Sequence, residues 1–262
     1  MRLKIGTYNI AHGRGTAKSN WSGGSKHQRL ARLAAIANVI KDLDIVILNE
    51  VDFMAPWTLW SQNQAKILQE LGGFNPPETA MNNRIIWHCG IAILSKYPVF
   101  HREVIRLPQY YKWWTSFGYR KDALAIRVEL PDGRQIKVIG VHLTHQSDAG
   151  QIRRESAKTL LDYTKKQSVP VVIAGDYNTQ PSGFPGDRDV APTAIDLLRQ
   201  NDLFQTKQIV HPLEEEMTFH SLNPMYTIDW IFVPKDWRIV TYKALPVKFS
   251  DHRPVVAEFK TE

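Results

Sequence analysis

Cysteine is nearly missing from this sequence: Cys89 stands alone among 262 residues. A lone thiol excludes an intrachain disulfide framework and a thiolate zinc cage. No apolar segment is long enough to span a bilayer. The start, Met1-Arg2-Leu3-Lys4-Ile5-Gly6, enters a strand pattern without the apolar stretch of a secretory leader. A cytoplasmic protein without stable membrane insertion is therefore expected. Low-complexity runs, repeats of solenoid period and shifts of composition are absent too, so residues 1–262 are expected to form one domain acting as a monomer. No dense Lys/Arg block occurs either, although the formal net charge is +7. Dispersed positive charge of that size favours a polyanionic partner, because Lys and Arg gain affinity by releasing phosphate counterions.

What is present is a succession of short apolar runs, several of which end on a polar residue. Leu3 to Ile10 exits through Asn9. Ile45-Val46-Ile47-Leu48 is followed by Asn49-Glu50, and Ile91-Ala92-Ile93-Leu94 by Ser95-Lys96. Ile136 to Val141 runs into His142, and Val171-Val172-Ile173-Ala174 into Gly175-Asp176-Tyr177-Asn178. Continuous apolar runs of this length suit strands buried on both faces. Helical patterns lie between them. Arg29 to Leu43 places Leu30, Leu33, Ala34, Ala37 and Ile40 on one face, and Trp60 to Leu71 stops at the cap Gly72-Gly73. Gln151 to Lys166 and Thr193 to Arg199 read as further helices.

The polar residues set a topological constraint. Glu50, His142 and Asp176 fall at C-terminal ends of strands, whereas Asp229 and Asp251 precede the apolar runs Trp230–Val233 and Val255–Ala257. For all five to meet at one edge, the later strands must run antiparallel to the earlier ones. Mixed, largely antiparallel sheets packed together and covered by helices follow.

Each chemistry-bearing position has a bland reading as well. Asp251-His252 joins a metal-capable carboxylate to a base titrating near neutral pH, or forms a solvated turn before an edge strand. Asp176 and Asn178 point the same way if the chain stays extended, and can orient water and bind a phosphoryl oxygen; otherwise they belong to a turn at Gly175. Glu50 is a strand-end charge or has a partner, with Asn49 and Asp52 indicating a polar cluster. His142 alone reads as a core histidine. Asp229, inside an apolar run, requires a partner, and His252 is the natural one.

Seven segments occur in order across nearly the whole chain: Thr7-Tyr8-Asn9-Ile10, Leu48-Asn49-Glu50-Val51-Asp52, Gly90 to Pro98, Val141-His142-Leu143, Gly175-Asp176-Tyr177-Asn178, Ile228-Asp229-Trp230-Ile231-Phe232 and Ser250-Asp251-His252-Arg253-Pro254. Together they resemble the endonuclease/exonuclease/phosphatase superfamily of DNase I-like phosphoesterases. The resemblance implies a four-layer α/β/β/α sandwich and Mg²⁺- or Mn²⁺-dependent hydrolysis of a phosphate ester by in-line water attack. It implies that Glu50 ligates the metal with Asn9 and Asp251 nearby, that Asp176 positions or activates the water, and that Asn178 binds the phosphoryl oxygen. His252 paired with Asp229 is then a general base or stabilises developing charge, and His142 contacts phosphate or protonates the leaving group. The chain departs from the pattern at Asn49, where relatives often have Gln, and at Gly118-Tyr119-Arg120, where many carry a Glu-Pro-Arg-like segment. Arg120 still suits a phosphate.

Two segments read as specificity loops. His12 to His27, rich in Gly, Ser and basic residues, is expected as a mobile loop near the site, with His12 or Arg14 touching phosphate or lying in solvent. Pro108 to Phe117 concentrates Tyr110, Tyr111, Trp113 and Trp114 beside Lys112, Arg120 and Lys121. Aromatics interleaved with cations suit stacked bases, so nucleic acid is the favoured substrate; the same aromatics also suit a core cap or a membrane interface. The alternatives are a small-molecule, inositol or lipid-linked phosphate, and a non-catalytic binding module on the same scaffold.

Overall fold

The computed structural model describes residues 1–83, 86–111 and 120–261. The chain first lays down β1 (Arg2–Asn9), α1 (Lys26–Ile40), β2 (Ile45–Met54), α2 (Gln64–Gly72), β3 (Glu78–Asn83) and β4 (His88–Ser95). It then builds β5 (Val99–Ile105), β6 (Ala123–Glu129), β7 (Gln135–His142), α3 (Gly150–Lys165), β8 (Val171–Asp176), α4 (Ala194–Gln200), β9 (Phe204–Gln205) and β10 (Asp229–Pro234). Finally β11 (Arg238–Ala244) and β12 (Val255–Lys260) return to the first sheet.

The two six-stranded sheets have the orders β11-β12-β1-β2-β4-β3 and β5-β6-β7-β8-β10-β9. Each holds one parallel pair, β1 with β2 and β7 with β8, and its other pairings are antiparallel. The expectation of mixed, largely antiparallel sheets is met.

Alternation along each strand explains the four layers. In β2, Ile45 and Ile47 face a core shared with Leu124, Ile126, Val138, Val172 and Ile231 of the second sheet. Their neighbours Val46 and Leu48 face Leu33, Ile36, Ile40 and Leu68 of α1 and α2. In β8, Val172 and Ala174 join the inter-sheet core, while Val171 and Ile173 pack with Leu160 of α3 and Leu198 of α4. Strands buried on both faces therefore read as unbroken apolar runs.

Helix boundaries differ from the sequence expectation for local reasons. α1 starts at Lys26 because Ser25 and Gln28 close a capping box. Its buried face carries Leu33, Ile36, Ala37 and Ile40, while Ala34 is exposed. α2 starts at Gln64 under an Asn63 cap, not at Trp60. Pro56–Thr58 form a 3-10 turn, and Leu59 and Trp60 are left-handed (φ 53° and 54°), which no helix accommodates.

Candidate active site

The parallel pairs deliver the site. β1 ends at Asn9, opposite Asn49 partway along β2, which runs on to Met54 so that Glu50 lies inside the strand and not at its end; β7 and β8 end at His142 opposite Asp176. Asp229 opens β10 directly across from Asp176 on the antiparallel partner. Asp251 and His252 lie just before β12, which runs antiparallel to β1 and so brings them to the same edge.

Glu50 reaches the centre through a β-bulge. Leu48 pairs with Ala92 and Val51 with Gly90, so two β2 residues oppose one on β4. Glu50 takes a left-handed conformation there, φ 51°. Asn49, beside it, spans the sheets: its Nδ2 donates to the Val141 carbonyl at 2.9 Å, and its Oδ1 accepts from the Asp176 N–H at 3.1 Å. On the opposite strand Gly175 permits the approach, since a Cβ there would stand 1.9 Å from the Val141 oxygen.

The side chains converge. Asn9 Nδ2 donates to Asp176 Oδ2 at 3.0 Å and to Glu50 Oε1 at 3.3 Å, and Asn9 Oδ1 accepts from the Ala11 N–H. In this arrangement Asn9 offers the centre its N–H groups and not an oxygen ligand. Asn178, at φ 51°, donates its backbone N–H to Asp176 Oδ1 at 2.8 Å and its amide to the Leu143 carbonyl and to Asp176. His252 Nδ1 lies 2.8 Å from Asp229 Oδ2, the pairing expected from the sequence, and its Nε2 lies 3.8 Å from Asp176. His142 Nε2 lies 3.5 Å from Asp176 and 3.9 Å from Glu50.

Charge states follow from these neighbours. Burial alone would raise Glu50, but His12, His142 and Lys121 hold it well below the usual carboxylate range. Asp176 is pushed up to about 7 by burial, against the opposing pull of His252 and with a further rise from Asp229. Burial would lower His252, yet Asp229, Asp176 and Asp251 outweigh it and push it up to about 10. His142 goes the other way, lowered well below 6.5 by burial and Lys121. The two histidines thus divide into a cation and a neutral ring. His142 Nε2 lies 2.8 Å from the Lys121 ammonium, and a neutral ring accepts from it there, so the two side chains share that edge of the centre.

Three further side chains join the site. Lys121 follows the aromatic segment Pro108 to Phe117 in the sequence. The stretch holding His12 and Arg14 reads as a mobile loop from which either residue touches phosphate, but Ala11–Gly13 form a buried 3-10 turn at the end of β1. His12 Nε2 lies 3.2 Å from Glu50 Oε2, and Arg14 bonds both Glu50 and Asp251. Their only sequence signal was position, directly after Asn9. Arg120 bonds Asp122 and lines a cavity with Glu50 and His142. Trp113 and Trp114 lie outside the described residues.

A profile of the Endonuclease/Exonuclease/phosphatase family matches residues 6–252. The chain belongs to that family. Its members hydrolyse phosphate esters. Among solved structures, an endonuclease/exonuclease/phosphatase from Beutenbergia cavernae is similar at 20% identity and TM-score 0.79, over 99% of this chain and 71% of that one. The human Nocturnin catalytic domain with bound sulfate is similar at 17% identity and TM-score 0.70, over 99% and 93%. A mannosyl-6-phosphatase from Bacteroides thetaiotaomicron is similar at 17% identity and TM-score 0.72, over 99% and 100%. These likenesses confirm the α/β/β/α fold. No curated protein matches the sequence.

Family members generally use a divalent metal, and the residues here fit one. The Arg14 guanidinium bonds Glu50 Oε2 and Asp251, which brings the two carboxylates together around one cation and leaves Glu50 Oε1 on the side of the reaction centre. Neighbouring carboxylates supply the oxygen donors that a hard ion of the Mg²⁺ or Mn²⁺ type prefers. Asp176, Asp229 and His252 also cluster, but His252 Nδ1 and Asp229 are committed to each other.

Proposed function

We propose that this chain is a Mg²⁺- or Mn²⁺-dependent phosphodiesterase acting on nucleic acid. The observation that carries the substrate reading is a pair of unlike recesses flanking the reaction centre. On the His142 side, a cavity of about 210 Å³ is lined by Arg102, Arg106, Arg120 and Lys121, with Glu50 and Asp122 as its acids. On the Asn178 side, a cavity of about 290 Å³ has Phe219 and Tyr226 in its wall. Those two rings stack at 6.4 Å and 30°, Arg188 lies 5.8 Å over Tyr226, and Phe219 stands 4.9 Å from the His252 ring. A substrate whose anionic backbone continues past the scissile phosphate while a planar base lies beside it matches both recesses. A small phosphomonoester leaves the aromatic wall unused.

Glu50 and Asp251 would hold the ion, which when bound polarises a phosphoryl oxygen and eases deprotonation of water. Asp176, ionised, takes the proton of the attacking water; the N–H groups of Asn9 and Asn178 fix its carboxylate in place. His252, cationic and braced by Asp229, donates from Nε2 to the phosphoryl oxygen as negative charge develops. For the Asn178 amide to donate to the same oxygen, one of its bonds to the Leu143 carbonyl and Asp176 must be exchanged for the substrate. Lys121 stands at the opposite edge, where its ammonium serves the departing oxygen.

EDTA should abolish hydrolysis of a single-stranded oligonucleotide and Mn²⁺ should restore it. His252→Ala should lower kcat by about 10²- to 10⁴-fold. Full activity in that variant overturns the mechanism. Turnover of inositol or sugar phosphates with inert DNA and RNA overturns the substrate assignment.

A further inference from the structure

The site contains a second acid–imidazole pair that the mechanism above does not use. Asp52 is fully buried. Its Oδ1 lies 2.8 Å from His12 Nδ1 and accepts from Trp87 Nε1 at 2.8 Å, while Oδ2 accepts from Trp57 Nε1 at 2.7 Å. His12, Asp52 and Cys89 lie close enough to resemble a metal site. Three N–H groups already engage the Asp52 carboxylate, however, so it orients His12 instead of ligating an ion. With Nδ1 committed to Asp52, the other ring nitrogen is directed at Glu50 Oε2, 3.2 Å away.

The backbone that places His12 is unusual. Ala11, His12 and Gly13 are consecutively left-handed, with φ of 48°, 53° and 64°. Two such non-glycine residues in a row are strained and persist only where the surroundings over-determine them. They do so here. Arg29 Nη1 and Gln64 Nε2 both donate to the His12 carbonyl at 2.8 Å, and Arg32 Nε donates to the Gly13 carbonyl at 2.9 Å. Gln64 Oε1 also accepts from the Asp52 backbone N–H at 3.0 Å, so one side chain ties both members of the pair. Trp87 and Trp57 close the ring edge-on, at 5.0 Å and 6.1 Å between centroids.

The consequence falls on the two oxygens of Glu50. Oε2 receives His12 and Arg14, whereas Oε1 faces Asn9 and His142 in the reaction centre. We infer that the Asp52–His12 pair is a positioning device that pins Oε2 of Glu50 and presents Oε1 alone to the metal. The inference rests on the assignment of Glu50 as a metal ligand. The pair repeats the arrangement of Asp229 and His252, where the orienting acid also bonds Nδ1 and the outer nitrogen faces a buried carboxylate, there Asp176. Partners of a metal ligand that set its orientation typically matter by 10- to 100-fold in affinity.

The test is Mn²⁺ binding, read by calorimetry or by loss of the free Mn²⁺ resonance, on the whole chain at fixed pH. His12→Ala should weaken binding by about 10- to 100-fold and Asp52→Asn by about tenfold. His12→Gln, which keeps an N–H donor toward Oε2, should recover part of the loss. Near-UV circular dichroism, to which Trp57 and Trp87 contribute, checks the fold; if His12→Ala loses that signal, Asp52→Asn carries the test. Parental affinity in both His12→Ala and Asp52→Asn overturns the inference. So does equal weakening in His12→Ala and His12→Gln, because the ring's bulk and not its hydrogen bond would then matter. A parent that binds no Mn²⁺ overturns the metal reading of Glu50 and the inference with it, whereas a parent that binds beside unaffected variants overturns the inference alone.

Discussion

His142 and His252 come from different sheets and end in opposite charge states, and the cause is the company each keeps. A buried imidazole beside Lys121 sheds its proton, while one among Asp229, Asp176 and Asp251 retains it to about pH 10. That retention has a thermodynamic sign. A group raised on folding contributes stability that is complete below its unfolded pKa, near 6.5 for histidine, and is lost as pH rises through its folded value. The metal-free protein should therefore lose stability between about pH 6.5 and 10, and His252→Gln should lose less over that interval. Urea midpoints of both proteins at pH 6 and pH 10 measure the difference. Equal slopes would mean that His252 is not held as a cation.

At the scale of elements, the β2 bulge and the Asn49 bridge do most to assemble the centre. Asn49→Ala would strand a buried carbonyl on β7 and a buried N–H on β8, at about 1–3 kcal/mol for each unsatisfied group. Unfolding in urea should register that loss, and hydrolysis should fall with it because the two sheet edges lose one of their direct polar ties. Unchanged stability would show that the Asn49 bridge adds nothing to the packing between the sheets. The element scale also marks what was legible in the sequence. Strands announced themselves as apolar runs, and the requirement that Glu50, His142, Asp176, Asp229 and Asp251 share an edge sufficed to orient the later strands. The bulge was not legible: whether two residues oppose one is decided by the pairing strand, not by Asn49 and Glu50. The Asp52–His12 pair was hidden likewise, since its members are 40 residues apart and the Gly-rich stretch after His12 read as an open loop.

For the molecule as a whole, the two sheets are built to one plan. Each has a central parallel pair joined through a helix, with two strands antiparallel on either flank. Asn9 and Asn49, the last pair of the parallel register in one sheet, thus correspond to His142 and Asp176 in the other. The net charge of +7 acts at this scale too. Oligonucleotide affinity in EDTA should fall steeply between 50 and 200 mM salt, as counterion release requires. Salt-insensitive binding would remove the electrostatic support for a nucleic-acid substrate. One topological detail bears on how the chain acquires activity. β1 comes first in the chain yet sits between β2 and β12, and β12 pairs with it from Arg2 opposite Lys260 to Thr7 opposite Val255. Until that final strand docks, β1 presents an unpaired apolar edge, a template for aggregation. The docking also delivers Asp251 and His252, so a chain cut before residue 250 is expected to be inert and sticky together. Quality control that clears one defect clears the other.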